Sequence, residues 1–521
     1  MAADDQQDVA RFLSRPDTHG LSGGEVRRID THISIVWLAG DHALKLKRAV
    51  RFDYVDYSTV EKRRVACEDE VRLNRRTAPD LYRRVRAITK EPDGTLALDG
   101  RGRPVEWVVE MARFDEDTLF DRLAARQALD PSLMDGLASA IAGFHAQAEP
   151  RPDRGGVRGM AWVIDGNAQA FDAHGPGVLD REICRRVIAE TRDALDRGRD
   201  LLEARRRHGL VRACHGDLHL RNIFLLNGAP TLFDAVEFNE EISCVDVLYD
   251  LAFLLMDLWY RGLRSHANRI LNGYLALTAD VSGLALMPLF LSCRAAIRSK
   301  TSLAASMVVP DEEQKAGLHT IARQYLALAR ALLHPPGACL VAIGGFSGSG
   351  KSTLARALAP DLGAAPGAVI LRSDVIRKSL LGVDPLVRLG ADAYTPEVST
   401  RVYETLVERG RTALLAGHAV IADAVHARPE ERAAIESVAR SAGVPFVGIW
   451  LEGSEDVLAH RLRVRTGDPS DATTDVLARQ MQSGARDLTW PRLDVTGDAD
   501  DVRAKAEALR PTAADGQAEA L

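Results

Sequence analysis

Hydrophobic and polar positions change their spacing along this 521-residue chain. In the first part, short alternating or apolar runs predict strands at 32–38, 42–47, 84–89 and 105–111, with one helix at about 59–76. From Glu116 to Leu333 the apolar residues recur mainly at helical spacing, interrupted by a β-rich section at 222–237. This order predicts a small sheet-containing lobe followed by a larger, mostly helical one.

The C-terminal part shows a different pattern, in which strands and helices alternate. Strands are predicted at 340–343, 368–371, 419–422 and 445–450, with helices at 351–359, 397–415 and 429–441 between them. Such alternation is typical of βαβ units and a parallel sheet. Two prolines and a glycine at 335–337 end the preceding helical pattern, so a domain boundary is predicted there.

We therefore predict a first domain over 1–335, with an N-lobe at about 25–112 and a helical C-lobe at about 113–335. A second domain covers 339–507, and the small, polar tail at 508–521 is predicted to be disordered.

Net charge restricts the kinds of binding partner that are expected. The chain has 67 basic and 73 acidic residues, a net charge of −6, which argues against binding to nucleic acid or to a membrane surface. The scattered cysteines and the acidic N-terminus favour a soluble, cytoplasmic protein.

Only 9 of the 67 basic residues are lysines, so each lysine is of interest. Lys351 lies in the run GFSGSGKS, which fits the pattern G-x-x-x-x-G-K-[ST] without a mismatch. Glycines let backbone N–H groups surround phosphate oxygens, the lysine neutralises the β- and γ-phosphates, and the hydroxyl holds Mg²⁺. The predicted nucleotide-binding residues are Gly345, Ser347, Gly348, Ser349, Gly350, Lys351, Ser352 and Thr353, with Ser352 also binding Mg²⁺. The nucleotide is predicted to be ATP, with GTP left open.

Carboxylates follow the next two predicted strands, where parallel strands open onto an active crevice. Asp374 is predicted to take the proton of an acceptor hydroxyl, with Arg377 one turn later, and Asp423 is predicted to contact Mg²⁺. Arg463 and Arg465 belong to a predicted helical lid, where they would stabilise charge on the transferred phosphoryl group. The alternatives are a helix N-cap for Asp374 and a solvated helix face for the arginines.

These residues resemble the small-molecule kinase branch of the P-loop fold, which includes gluconate, shikimate and zeta-toxin kinases. The resemblance covers about 340–505. It implies phosphate and Mg²⁺ roles for Lys351 and Ser352, an acceptor-side carboxylate at Asp374, and a lid arginine at Arg463 or Arg465.

A second constellation reads His215-Gly-Asp217, then Asn222, then an apolar run that ends in Asp234. Kinase-type transfer needs a carboxylate beside the acceptor hydroxyl, then an amide and a second carboxylate for the metal ions. This spacing resembles the aminoglycoside phosphotransferase and choline-kinase-like family, whose loop reads H-G-D-x-x-x-x-N. The resemblance implies a bilobal α+β kinase fold, Asp217 as catalytic base, and Asn222 and Asp234 as Mg²⁺ ligands. A chance polar turn and an inactive kinase fold are the alternatives.

The N-lobe supplies a matching lysine. Lys45 is predicted to reach the nucleotide phosphates, but Lys47 shares its strand face and competes for the role. Its partner on the helix is predicted to be Glu70, with Glu68 as the alternative. The strand end at Glu110 to Ala112 is predicted to bind adenine through its backbone.

Taken together, the chain resembles the bacterial bifunctional aminoglycoside phosphotransferase/ATP-binding proteins, over nearly its whole length. The resemblance implies an α+β kinase-like domain followed by an α/β P-loop domain. It also implies ATP and Mg²⁺ as cofactors and a small-molecule hydroxyl as acceptor. Three functions stay open: two active kinase sites, one N-terminal kinase regulated by a P-loop switch, or a protein kinase or stress-response regulator.

The acceptor's charge is also left open by the sequence. Three acids near the N-terminal site, Glu237, Glu240 and Glu241, would suit a cationic acceptor. Arg294, Arg298 and Lys300 would suit an anionic one, and a solvated face is the preferred interpretation of both sets. Nothing in the pattern assigns an oligomeric state.

Overall fold

A computed structural model describes residues 3–52, 55–465 and 467–509, so the predicted disordered tail lies outside the described residues from position 510 onward. The chain divides into two compact units, Met1–Gly159 with Glu203–Leu254, and Met160–Leu202 with Leu255–Leu521. Helices of the predicted C-lobe are thus shared between the units. The boundary at 335–339 stays a prediction.

The N-terminal part forms an antiparallel sheet with one helix against each face. Its elements are α1 (Ala3–Leu13), β1 (Arg27–Asp30), β2 (Ser34–Ala39), β3 (His42–Lys47), β4 (Arg51–Phe52), β5 (Val55–Asp56), α2 (Val60–Asn74), β6 (Tyr82–Lys90), β7 (Leu96–Leu98) and β8 (Arg103–Ala112). Six strands pair in the order β1-β2-β3-β8-β6-β7. Because side chains alternate along β3, Leu44 and Leu46 pack toward α1 while the lysines face the other side.

The middle of the chain is mostly helical, as predicted. Its elements are α3 (Phe120–Ala125), α4 (Leu133–Gln147), α5 (Gly156–His174), α6 (Arg181–Arg197), α7 (Arg199–Arg207), β9 (Val211–Ala213), β10 (Ile223–Leu226), β11 (Ala229–Leu232), α8 (Glu240–Ser243), β12 (Cys244–Asp246), α9 (Val247–Tyr260), α10 (Arg264–Thr278), α11 (Met287–Ser306) and α12 (Glu312–Leu333). The hairpin β10–β11 follows the predicted catalytic loop and leads directly to Asp234. Within the described residues, none of the helices combines the length and apolar character needed to cross a bilayer.

The C-terminal part is an α/β fold around a five-stranded parallel sheet. Its elements are β13 (Leu340–Gly345), α13 (Lys351–Leu358), β14 (Val369–Arg372), α14 (Ser373–Leu380), α15 (Pro396–Leu415), β15 (Val420–Asp423), α16 (Pro429–Ala442), β16 (Phe446–Glu452), α17 (Glu455–Val464), α18 (Thr474–Ser483), β17 (Arg492–Asp494) and α19 (Ala499–Glu507). The strand order is β14-β15-β13-β16-β17. In this register Asp423 lies between Ile343 and Arg372, so three strand ends meet beside the phosphate loop.

Two asparagines of α10 cover the edge strand β14. Asn272 accepts a hydrogen bond from the Ile370 N–H at 2.7 Å and donates to Ala368 O at 3.1 Å. Asn268 also donates to Ala368 O, at 3.0 Å. Side-chain amides therefore satisfy backbone groups that an edge strand otherwise exposes.

The interpretation of α11 as a solvated cationic face is wrong. Arg294 is only 2% exposed, and burial lowers the pKa of Lys300 to about 8. The cause is packing, because α11 lies against both α6 and α12 and has little face left for water.

Candidate active sites

The N-lobe lysine lies between two carboxylates in the first unit. The Nζ of Lys45 is 2.7 Å from Glu70 Oε1 and 2.6 Å from Asp234 Oδ1. Burial alone would lower the pKa of Lys45, but Asp234 and Glu70 outweigh it and hold that pKa well above its usual value. Lys45 therefore stays charged beside the predicted metal ligand, where nucleotide phosphates would arrive.

Lys47 occupies a different place from Lys45. It is 1% exposed, lies 2.5 Å from Glu70 Oε2 and also contacts Glu237 Oε1. Glu68 instead pairs with Arg64 on the half-exposed face of α2. Of the two lysines, Lys45 is the one in contact with Asp234, and of the two glutamates, Glu70 is the one in contact with Lys45.

The predicted catalytic loop is held from below by a buried carboxylate. Asp250 accepts hydrogen bonds from the N–H groups of His215 at 3.1 Å and Gly216 at 2.8 Å. Gly216 has a φ of +82°, and a Cβ there would lie 3.1 Å from Ile242 O. Only glycine suits this close, left-handed turn. The backbone at His215 and Gly216 is therefore fixed by Asp250 and by the glycine turn, directly before Asp217.

Asp217 and Asn222 meet at the open side of this loop. The Asn222 Nδ2 group donates to Asp217 Oδ2 and to Asp217 O, both at 2.9 Å. Its amide nitrogen therefore faces the predicted base, and its carbonyl oxygen is left as the ligand atom. Together with the Asp234 carboxylate, 41% exposed, it gives the oxygen donors that Mg²⁺ prefers. The donor set fits the predicted cation.

The predicted adenine edge is only partly matched. The Ala112 N–H donates to Leu81 O at 2.8 Å, so this amide belongs to the lobe's own hydrogen bonds. The side chain of Glu110 accepts a hydrogen bond from Arg84 at 2.9 Å. Binding of adenine to the amide of Ala112 would require its bond to Leu81 to break.

The three acids considered for a cationic acceptor do not form one solvated group. Glu237 is buried and accepts a hydrogen bond from Tyr57 at 2.6 Å, in addition to its contact with Lys47. Glu240 and Glu241 pair with Arg154, at 2.7 and 2.6 Å. The solvated interpretation is therefore wrong for Glu237, because the N-lobe closes over it.

In the second unit, the phosphate loop joins β13 to α13. Gly345, Gly348 and Gly350 have φ values of +141°, +83° and +86°. A Cβ at Gly348 would lie 2.5 Å from Leu458 O, so glycine is required for packing there as well as for the turn. The Nζ of Lys351 donates to Gly345 O at 2.9 Å and to Phe346 O at 3.0 Å. Burial lowers the pKa of this lysine.

The two predicted Mg²⁺ ligands of this unit are in contact. Ser352 Oγ donates to Asp423 Oδ2 at 2.6 Å. Arg372 lies 3.7 Å from the same carboxylate oxygen and donates to Asp468 at 2.6 Å. A hydroxyl beside a carboxylate at a phosphate loop is a donor set that suits Mg²⁺.

Asp374 lies in the first turn of α14, directly after β14, whose last residue Arg372 pairs with Asp423. Burial raises the pKa of Asp374, although Arg372 opposes the shift. A carboxyl with a raised pKa is a better acceptor of a hydroxyl proton at neutral pH. Arg377 follows one turn later, with its guanidinium 4.6 Å from the ring centre of Tyr394.

The lid arginines are placed unequally. Arg463 is exposed, and its Nε donates to Ala459 O in its own helix. Arg465 donates to Ser470 O and Ala472 O, at 2.9 and 3.1 Å, and so organises the loop after α17. Arg461 also lies beside the phosphate loop, since its guanidinium would be 3.9 Å from a Cβ at Gly350. Sequence reasoning missed it because every second position there is cationic.

Another contact was not foreseen from the sequence. The Ser347 N–H, which was predicted to bind phosphate, donates to Oε1 of Gln480 in α18 at 2.8 Å. The side chain of Ser349 is buried, and Thr353 lies on the exposed side of α13. No local pattern marks Gln480, because a lone glutamine in an amphipathic helix is ordinary.

Comparisons with known proteins match two different families to the two parts of the chain that carry these candidate sites. Residues 61–285 match the phosphotransferase enzyme family, and residues 340–486 match a family described as an AAA domain. Uncharacterized proteins of Mycobacterium tuberculosis and Mycobacterium bovis are 31% identical over 478 residues, which is 90% of this chain and 92% of theirs.

Solved structures that are similar to parts of the chain include two kinases. A gluconokinase from Sinorhizobium meliloti is 24% identical with a TM-score of 0.23, covering 33% of this chain and 90% of its own. A choline/ethanolamine kinase family protein from Mesorhizobium loti is 14% identical with a TM-score of 0.36, covering 63% and 99%.

The fold and the matched families define a kinase-type phosphotransferase that also carries a P-loop kinase-like domain. The chain belongs to the bacterial family in which an aminoglycoside-phosphotransferase-like kinase domain is followed by a P-loop kinase-like domain. The family name refers to the fold and leaves the acceptor open.

Proposed function

We propose that the protein has two nucleotide sites and that each transfers the γ-phosphoryl group of ATP to a hydroxyl of a small molecule. The observation that carries the proposal is that each unit brings together the same three parts. These are a partly buried lysine that would hold phosphate, an oxygen pair that would hold Mg²⁺, and an acidic residue that would face the acceptor.

In the N-terminal site, Lys45 would hold the phosphates while Asn222 and Asp234 hold the cation. Asp217 would accept the acceptor's hydroxyl proton as the oxygen attacks the γ-phosphorus and the bond to ADP breaks. Bound Mg²⁺ would neutralise charge on the phosphates. The fixed contacts around Asp217 and Lys45 supply positioning, which is the main contribution a protein makes to this reaction.

In the C-terminal site, Lys351 would hold the phosphates, and Ser352 with Asp423 would hold the cation. Asp374 would accept the proton of the acceptor hydroxyl. Arg465 would support the lid, since it orders the loop that carries Asp468 next to Arg372.

Paired variants test the two sites separately. Purified protein would be incubated with labelled ATP and a metabolite pool, and the labelled products separated by mass. Asp217→Asn should remove one set of products and Lys351→Ala another, while the exposed-residue controls Asp196→Asn and Lys505→Ala should remove neither. Label on polypeptide alone would contradict a small-molecule acceptor. If Lys351→Ala leaves all products intact while ATP binding at the second unit is lost, that unit is a nucleotide switch and not a transferase.

A further inference from the structure

Lys47 has no role in the proposed reaction, yet it is among the most buried charges of the first unit. Its ammonium group lies between the carboxylates of Glu70 and Glu237, and the three side chains are 1%, 0% and 4% exposed. Removing such charges from water costs several kcal/mol per ion, and apolar residues often replace a buried ion pair without loss of stability. A buried triad beside a catalytic site therefore suggests a role beyond stability.

Glu70 is the first link between this triad and the site. One oxygen of its carboxylate lies 2.7 Å from Lys45 Nζ, and the other lies 2.5 Å from Lys47 Nζ. The two lysines together lower the pKa of Glu70 to about 2, although burial opposes this. Lys45 must leave part of its present contacts when phosphates bind. With Lys47 in place, Glu70 keeps a cation throughout, so its charge is never left buried and unpaired.

The second link is the short segment from Asp234 to Glu237. Asp234 has a φ of +62°, which is unusual for a residue other than glycine. Backbone N–H groups hold the segment in this shape: Asp234 donates to Tyr82 Oη at 3.1 Å, and Ala235 donates to Asn74 Oδ1 at 2.8 Å. At its far end, the carboxylate of Glu237 is fixed by Lys47. The metal-binding carboxylate is thus held from both sides.

We propose that Lys47 and Glu237 are positioning residues that set the affinity of the N-terminal site for the divalent cation accompanying ATP. Lys47 lies on the same strand as Lys45, and it contacts Glu237, which is three residues after the proposed metal ligand Asp234. It therefore links the segment that carries Asp234 to the strand that carries Lys45. The inference rests on the proposed function, because it takes Asp234 as a ligand of that cation. Partners that orient metal ligands typically change metal affinity about 10–100-fold when they are removed.

The test measures ATP binding by calorimetry in a full-length chain with Lys351→Ala, so that only the N-terminal site reports. Binding is measured first in EDTA and then at increasing MgCl₂. Lys47→Met and Glu237→Gln should each raise the Mg²⁺ concentration for half-maximal effect about 10-fold and change the affinity in EDTA by less than about 2-fold. Because both residues act through one contact, the double variant should be no more than about 2-fold worse than either alone.

A matched control is Arg205→Met, which breaks another buried ion pair of the same unit, between Arg205 and Asp246 at 2.7 Å. It should lower the melting temperature without moving the Mg²⁺ midpoint. Glu237→Gln keeps the side chain's shape, so it remains informative if Lys47→Met does not fold. The inference is overturned if the Mg²⁺ midpoint stays unchanged in Glu237→Gln, or if affinity in EDTA falls by the same factor. If the Lys351→Ala parent binds no Mg²⁺–ATP at all, the proposed function itself fails, which is a different result.

Discussion

Gln480 occupies a hydrogen-bonding position of the phosphate loop, and its removal should tighten nucleotide binding. The Ser347 N–H that donates to Gln480 Oε1 at 2.8 Å would otherwise be available to a phosphate oxygen. If ATP binds here as proposed, it must break this bond as it enters. In Gln480→Ala the bond is absent beforehand, so the cost of breaking it disappears from the binding free energy.

The size of the effect follows from that single bond. A neutral intramolecular hydrogen bond contributes about 0.5–1.5 kcal/mol net. Since 1.4 kcal/mol is about tenfold in an equilibrium constant, the variant should bind ATP about 2- to 12-fold more tightly. Other loop contacts, such as those of Lys351 with Gly345 O and Phe346 O, are the same in both proteins and cancel.

The assay is titration of a fluorescent ATP analogue into protein whose N-terminal site is silenced by Asp234→Asn. Gln482→Ala is the matched control, because this glutamine lies on the exposed face of the same helix. It should leave the dissociation constant unchanged. Weaker binding in Gln480→Ala would refute the reasoning, because Gln480 would then contribute to nucleotide binding and not compete with the phosphate for the Ser347 N–H. An unchanged constant would refute it as well.

Three further outcomes follow from the structure. Gly216→Ala places a Cβ 3.1 Å from Ile242 O at a φ of +82°, so N-terminal turnover should fall sharply and stability by about 1–3 kcal/mol, measured by product formation and urea unfolding. Burial lowers the pKa of His418 to about 4, so the folded state loses about 2 kcal/mol between pH 7 and pH 5, and His418→Asn should remove that loss from urea curves. Asn272→Ala removes its hydrogen bonds with the Ile370 N–H of β14 and with Ala368 O just before that strand, and should speed hydrogen exchange at the Ile370 amide by about 10-fold or more.

Each of these outcomes has a result that would contradict it. Unchanged turnover in Gly216→Ala would mean that the loop relaxes without moving Asp217. For His418 the sign is fixed, since an unfolded histidine takes up a proton near pH 6.5 and the folded one does so only near pH 4. Equal pH dependence in His418→Asn would therefore exclude this side chain as the cause. Unaltered exchange at Ile370 would show that Asn272 does not hold the strand.

The sequence could predict the parts whose signal is local. The phosphate loop and the order Asp217, Asn222, Asp234 depend on spacing within one turn or hairpin, and the structure places them accordingly. The choice of Lys45 over Lys47 needed the structure, because both lysines share one face of β3. The two lysines differ in their distant partners: Lys45 meets Asp234, 189 residues away, and Lys47 meets Glu237.

Contacts between distant segments could not be predicted in this way. Gln480 meets a residue 133 positions away, and Glu237 meets a lysine 190 positions away. An isolated acidic residue in a sequence is expected to be exposed to solvent. The expectation is wrong for Glu237 because Lys47 and Tyr57, which cover it, are distant in sequence. The same holds for Arg294, whose burial depends on two other helices.

The pair of asparagines on α10 has a consequence for how the chain can be divided. The proline-rich seam at 335–337 is an obvious place for a protease or an engineer to cut. A fragment beginning after it would carry β14 as a bare edge strand, with the Ile370 N–H and Ala368 O exposed for pairing with another chain. Such a fragment is expected to self-associate. The part of the chain before the seam therefore supplies hydrogen-bonding partners that the part after it lacks on its own.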